Sequence, residues 1–164
     1  MRPVRLPVGP GEESVWDYPR PPALELVAER VSIVHRGVRL VDTDRAWRVL
    51  ETSHPPTYYV PPSGIALDHL VASDRTSFCE FKGLASYRSV EIDGEVLRDV
   101  AWGYTDPSPG YEAIADHLAF YAGPFDDCRV GDEQATPQPG GFYGGWVTSR
   151  IVGPFKGEPG TAGW

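Results

Sequence analysis

"TSFCEFKGLASYRSVEIDGEVLRDVAWGYTD", residues 76–106, is the stretch whose reading decides the fold. Apolar and polar side chains alternate on both sides of Asp93-Gly94, and that dipeptide suits a two-residue type I′ turn, in which both positions take positive φ. Residues 76–92 and 95–106 are therefore expected to pair as antiparallel strands. The same period recurs upstream. "LELVAERVSIVHRGVRLVDT", residues 24–43, alternates about the turn signal His35-Arg36-Gly37 and reads as a second hairpin.

Working outward, "DRAWRVLETS" (44–53) fits a helical face or a strand, and strand is favoured. Pro55 and Pro56 follow at once, and no pair of caps frames a helix. "TYYVPP" (57–62) reads as a short aromatic strand whose prolines suit a sheet edge. "GIALDHLVAS" (64–73) is the best short helix, with Ile65, Leu67, Leu70 and Val71 near one side. "YEAIADHLAFYAG" (111–123) is expected to begin as a helix and finish as a strand, and "GWVTSRIVG" (145–153) to form one strand. The 17 prolines and 18 glycines favour turns over long helices. The expected class is mainly β: antiparallel sheets with one or two short helices. Residues 1–22 read as an irregular arm, with a mobile first dozen and with Trp16 and Tyr18 as anchors. Residues 23–125 read as the core domain, and residues 126–164 as a Gly/aromatic extension packed on it.

Composition narrows the function. A formal net charge of -8 repels phosphate backbones and anionic membranes, so neither nucleic acid nor a membrane is expected as partner. No uncharged run approaches the roughly 20 residues needed to span a bilayer, and the first residues carry no apolar signal core. The chain is expected to be cytoplasmic, with Cys79 and Cys128 as reduced thiols. There is no CxxC, and His35, His54, His69 and His117 are scattered, so no metal and no cofactor is expected. Nothing in the sequence favours one oligomeric state over another.

Five phrases stand in register: "ESVWDYPRPP" (13–22), "ETSHPPTYYVPP" (51–62), "SFCEFKGLASY" (77–87), "DVAWGYTDP" (99–107) and "LAFY" (118–121). Together they resemble the domain-of-unknown-function family 427, with the core of the match running from about Val31 to Tyr121. The resemblance implies a β-tent, a set of antiparallel sheets shared with methionine sulfoxide reductases and the ligand-binding domain of cereblon. β-tent relatives often hold zinc through CxxC knuckles. Here Lys82, not a second Cys, follows Cys79 by three positions. The family has also been labelled a nucleotidyltransferase. That chemistry needs paired carboxylates holding Mg²⁺, for which the chain offers Asp42 and Asp44, with Asp99 as a third.

The candidate site begins with rarity. The chain takes its positive charge from thirteen arginines and only two lysines, and it has only two cysteines. Lys82 and Cys79 stand three positions apart. Lys is the compact ammonium whose pKa moves on burial, so Lys82 is read as an anion anchor or base, and Cys79 as pocket lining or nucleophile. On a strand the two face opposite sides unless the chain bends, which Gly83 permits. Glu51 is expected to pair with Lys82 across the sheet, and His54 to be held extended before Pro55-Pro56. Trp102 and Tyr104 share a strand face that Tyr87 reaches across the hairpin, forming stacking walls. Asp99 is read as orienting a cation there, and Arg20 as a clamp on an anion. The function these residues favour is binding of a small polar or aromatic ligand, with catalysis left open. The alternatives are metal-dependent nucleotidyl transfer and an interaction module that uses the arm and tail as contact surfaces.

Overall fold

The computed structural model describes residues 3–164 as short strands joined by turns. In chain order the first nine strands are β1 (Glu13–Ser14), β2 (Ala23–Leu26), β3 (Val31–His35), β4 (Val38–Thr43), β5 (Trp47–Leu50), β6 (Thr57–Tyr59), β7 (Leu70–Cys79), β8 (Gly83–Ile92) and β9 (Glu95–Gly103). Then follow β10 (Leu118–Phe120), β11 (Asp127–Val130), β12 (Glu133–Gln134), β13 (Thr136–Pro137), β14 (Trp146–Val147) and β15 (Ile151–Val152). Three sheets carry the fold, in the orders β10-β9-β8-β7, β12-β11-β3-β4 and β2-β5-β6. All their pairings are antiparallel. Two small pairs complete it, antiparallel β13-β14 and parallel β1-β15. The chain is mainly β, as the alternation of its side chains indicates.

Both expected hairpins form. Ile92 faces Glu95 across Asp93 (φ 52°) and Gly94 (φ 78°), and His35 faces Val38 across Arg36 (φ 49°) and Gly37 (φ 77°). Both turns thus use left-handed backbone at both central positions, the geometry whose twist matches the strands it joins. Residues 44–53 contain strand β5, and β6 sits at an edge of its sheet.

Three local expectations are corrected. Residues 64–73 form no α-helix: Pro62–Gly64 and Leu67–His69 are single 3₁₀ turns, and β7 begins at Leu70. Only half of the supposed apolar stripe meets the core, through Ile65 and Leu70, while Leu67 is 53% and Val71 41% exposed, and the edge of β8 offers Leu70 a ladder partner in Val90 instead. Residues 111–123 likewise hold one 3₁₀ turn, Glu112–Ile114, before the expected strand forms as β10, because the chain leaves the helical region at Ala115 (ψ 132°) and Asp116 (φ 61°). Residues 145–153 are two strands in different sheets, separated by a turn closed by Ile151 N–H donating to Thr148 O at 3.1 Å. The short helices of the sequence reading are therefore 3₁₀ turns only.

The main core lies between the two four-stranded sheets, where Ile33, Leu40, Val41, Val90, Phe120 and Trp146 are fully or almost fully buried. Trp146 Nε1 donates to Phe120 O at 2.8 Å, so its polar edge is satisfied inside that core. A second cluster, with Tyr59, Tyr87, Trp102 and Tyr104, lies where the β7–β10 sheet meets β5 and β6. A third joins the chain's two ends: Val15 and Tyr18 pack with Leu50 and Ile151. Trp16 Nε1 donates to Pro154 O at 2.9 Å. Residues 3–12 form no strand or helix, and the expectation of mobility for the first dozen includes residues 1 and 2, which lie outside the described residues.

Candidate functional site

The segment 76–92, read above as one strand, is a hairpin. β7 ends at Cys79, Glu80-Phe81-Lys82 turns the chain, and β8 begins at Gly83, which faces Cys79 in register. Gly83 takes φ +106°, and a Cβ there would lie 3.4 Å from Ser108 Oγ, so the turn needs glycine for its backbone angle more than for space. Ser108 N–H donates to Lys82 O at 2.9 Å and fixes the turn from outside. The bend brings the two rare side chains together: Lys82 Nζ donates to Cys79 Sγ at 3.3 Å.

Lys82 is 8% exposed and lines a cavity of about 410 Å³. That volume lies in the range of roughly 300–1,000 Å³ typical of small-molecule sites. The buried rings of Tyr59, Tyr87, Trp102 and Tyr104 form its floor. Tyr87 and Trp102 are register partners on β8 and β9, with ring centroids 6.4 Å apart, and Trp102 lies 4.7 Å from Tyr121. These rings are also core, as their cluster shows; the cavity uses the faces and edges that the core leaves uncovered. Burial disfavours the Lys82 ammonium, but Tyr104, Cys79 and Glu51 favour it, and its pKa ends above the ordinary lysine value. Lys82 is therefore an ammonium at neutral pH. Among the described residues it forms no ion pair with a carboxylate.

Glu51 and His54 stand on the turn that follows β5, where Ser53 takes φ 74° and His54 N–H donates to Glu51 O at 3.0 Å. Both line the cavity, but Glu51 pairs with Arg20 at 3.2 Å where the sequence suggested Lys82. The arm puts Arg20 there: its guanidinium donates to Thr52 O at 2.7 Å, and Thr52 Oγ1 donates to Tyr18 O at 2.6 Å. Arg20 thus acts on the wall of the cavity without lining it. Asp99 is not brought to the site. It hydrogen-bonds Ser73 and, with Arg75 and Arg98, lines an adjoining depression. That depression is larger, about 640 Å³, but its charged side chains are exposed or half-buried and its far wall is proline and glycine backbone.

His54 has a definite tautomer. The Gln138 side chain, 3% exposed, accepts from Gly145 N–H at 3.0 Å through Oε1 and donates to Lys156 O at 2.9 Å through Nε2. Those two bonds fix the amide's orientation, so the contact of Nε2 with His54 Nδ1 at 3.0 Å has the amide as donor and the ring as acceptor. The ring proton is then on Nε2, which faces Glu51 Oε2 at 3.7 Å. Burial, followed by the charges of Lys156, Arg20 and Lys82, pushes the His54 pKa down from 6.5 to about 4, so the ring is neutral at pH 7.

Several residues of the site escaped the sequence reading. Gln138, Phe142, Tyr143, Gly144 and Lys156 line the cavity from the C-terminal extension. Gly144 lies against Trp102, where a Cβ would meet Cη2 at 1.9 Å, and Tyr121 Oη donates to Phe142 O at 3.0 Å. Residues 138–145 form the roof. Tyr143 stands edge-on to His54 at 4.7 Å, and Lys156 Nζ lies 5.4 Å from the Tyr143 ring centre. The signal for Lys156 was available, because it is the chain's other lysine.

Residues 23–131 match the family model described as Domain of unknown function (DUF427), which covers well over half of the chain. The chain belongs to this family. Comparison with curated proteins gives no match. The family span contributes the floor, Glu51, His54, Cys79 and Lys82, whereas Gln138, the roof and Lys156 lie beyond it. The carboxylates proposed for a metal lie elsewhere: Asp42, on β4, pairs with Arg30 at 2.6 Å. Among the described residues no three His, Cys, Asp or Glu side chains converge as a metal site.

Proposed function

We propose that this protein is a cytoplasmic binder of a small, flat, acidic molecule, held in the cavity between the β7–β8 hairpin and the 138–145 roof. The observation that carries this reading is Lys82: a buried ammonium, with no carboxylate partner among the described residues, facing a cavity floored by aromatic rings. Burying a cation is costly unless something compensates for it, and a thiol at 3.3 Å compensates less than a carboxylate would. An anion arriving from solvent supplies the missing partner. The rings supply stacking area, and Lys82 serves as anchor and not as base, because it stays protonated at neutral pH. Cys79 lines the site, Glu51 and His54 form its rim, and Arg20 keeps Glu51 neutralised. Two free thiols, and the absence of a described helix long and apolar enough to cross a membrane, are in keeping with a cytoplasmic setting. Nucleotidyl transfer through Asp42 and Asp44 lacks comparable support, since Arg30 occupies Asp42.

The test is a thermal-shift screen of wild type and Lys82→Met against aromatic carboxylates. Met keeps the apolar stem and removes the charge. A ligand at 100 times its dissociation constant adds about 2.7 kcal/mol, so binding should raise the wild-type Tm and leave that of Lys82→Met unchanged. Shifts of equal size in both proteins would refute Lys82 as the anchor.

A further inference from the structure

Lys156 is the second unpaired ammonium at the same cavity, and its position narrows the ligand class proposed above, on which this inference rests. The chain has 23 acidic residues and two lysines. Both lysines line one cavity, and neither forms an ion pair with a carboxylate of the described residues. Arg39, Arg45, Arg75, Arg88 and Arg98 also form no ion pair among the described residues, but none of them lines this cavity, so what sets the lysines apart is that two unpaired ammoniums share one cavity in a chain of net charge -8. The lysines reach it from different parts of the chain. Lys82 comes from the hairpin turn of the family domain, and Lys156 from the extension beyond residue 131. Each lies over a different ring, Lys82 5.8 Å from the centre of Tyr104 and Lys156 5.4 Å from that of Tyr143. Tyr104 belongs to the floor and Tyr143 to the roof.

The carboxylates that share the cavity do not cancel these charges. Glu51 is held by Arg20, and Glu80, exposed on the hairpin turn, forms no ion pair with either lysine. Burial, and after it the charges of Lys156, Arg20 and Lys82, keeps His54 neutral. We infer that the cavity takes a flat dicarboxylate, one carboxylate on the Lys82 ammonium and the other on that of Lys156, with its planar body between the aromatic floor and Tyr143. The extension is then part of the recognition machinery. The backbone of Lys156 is fixed independently of its side chain, since its N–H donates to Ser53 O at 2.9 Å and its carbonyl accepts from Gln138 at 2.9 Å. A change at the ammonium therefore leaves the roof in place.

The experiment measures, by titration calorimetry at pH 7, binding of benzoate, isophthalate and terephthalate to wild type, Lys82→Met, Lys156→Met and Lys156→Arg. One or both dicarboxylates should bind wild type at least tenfold more tightly than benzoate, about 1.4 kcal/mol. Lys156→Met should erase that preference by weakening the dicarboxylate at least tenfold more than benzoate, Lys156→Arg should restore most of it, and Lys82→Met should weaken every probe at least tenfold. Dicarboxylate affinity unchanged in Lys156→Met would overturn the second anchor and leave the Lys82 site standing. Benzoate weakened equally by both Met variants, with no preference for dicarboxylates, would mean that one carboxylate is shared and would overturn the two-acid class. Binding of all probes that ignores Lys82, or no binding by folded wild type, would overturn this inference together with the reading beneath it.

Discussion

Replacing His54 by Asn should remove a specific part of the protein's sensitivity to acid. The ring is neutral and buried, with its side chain 12% exposed, and its pKa is about 4 in the folded chain against 6.5 when exposed. Above pH 6.5 the ring is uncharged in both states and costs the fold nothing. Between 6.5 and about 4 the unfolded chain takes up a proton that the folded chain refuses, so stability falls as the pH falls. Below about 4 the folded ring also charges, and the loss levels off. The full interval amounts to roughly 3 kcal/mol, at about 1.4 kcal/mol for each tenfold in proton affinity. Asn keeps an acceptor for the Gln138 amide but does not titrate. Urea unfolding, followed by tryptophan fluorescence at pH 7 and at pH 4.5, should show wild type losing roughly 2–3 kcal/mol more than His54→Asn between the two pH values. The many carboxylates titrate in both proteins and cancel in that difference. Parallel pH profiles would refute the neutral, buried ring and the cationic surroundings assigned to it.

Two further substitutions test the architecture of the site. Gly144→Ala places a methyl 1.9 Å from Trp102 Cη2, so the roof must lift from the floor; a loss of about 1–3 kcal/mol and a changed tryptophan emission are expected. An unchanged spectrum and Tm would show that the roof does not rest on Trp102. Ser53 has φ 74° and a buried hydroxyl without a partner among the described residues. Ser53→Gly relieves both, at about 1–2 kcal/mol for the backbone against up to about 1 kcal/mol of added chain entropy, and should raise the Tm by a few degrees. A fall in Tm would show that the hydroxyl is satisfied.

Residues 83–103 and 31–43 were legible because their turns are local: Asp93-Gly94 and Arg36-Gly37 carry their own backbone preference, and the strands beside them alternate. The hairpin at 80–82 was hidden because Glu80-Phe81-Lys82 has no turn-forming pair and its one glycine follows the turn. Residues 64–73 misled because helical spacing of Ile65, Leu67, Leu70 and Val71 is a weak signal beside an available strand edge, which only the tertiary fold provides. At the site, the rarity of lysine and cysteine located Lys82 and Cys79, and strand parity placed Tyr87, Trp102 and Tyr104 on one wall. Arg20 and Glu51 were both chosen, but their mutual pairing depends on how the arm folds back. Gln138 and Tyr143 lie in a Gly/Pro-rich stretch with no period to read, and they become functional only through contacts with residues more than eighty positions earlier in the chain.

The parallel pairing of Glu13 with Ile151 and Ser14 with Val152 works as a clasp between the chain's two ends, backed by Trp16 against Trp164 at 5.5 Å. Its mechanical consequence concerns the order in which the molecule opens. Tension on the two ends loads this two-rung clasp in shear before it reaches the longer ladders of the four-stranded sheets. Lys156 lies four residues past the clasp's last rung, so once the clasp slackens the load passes to the bonds that Lys156 makes with Ser53 and Gln138 at the edge of the cavity, while the floor stays locked in the core.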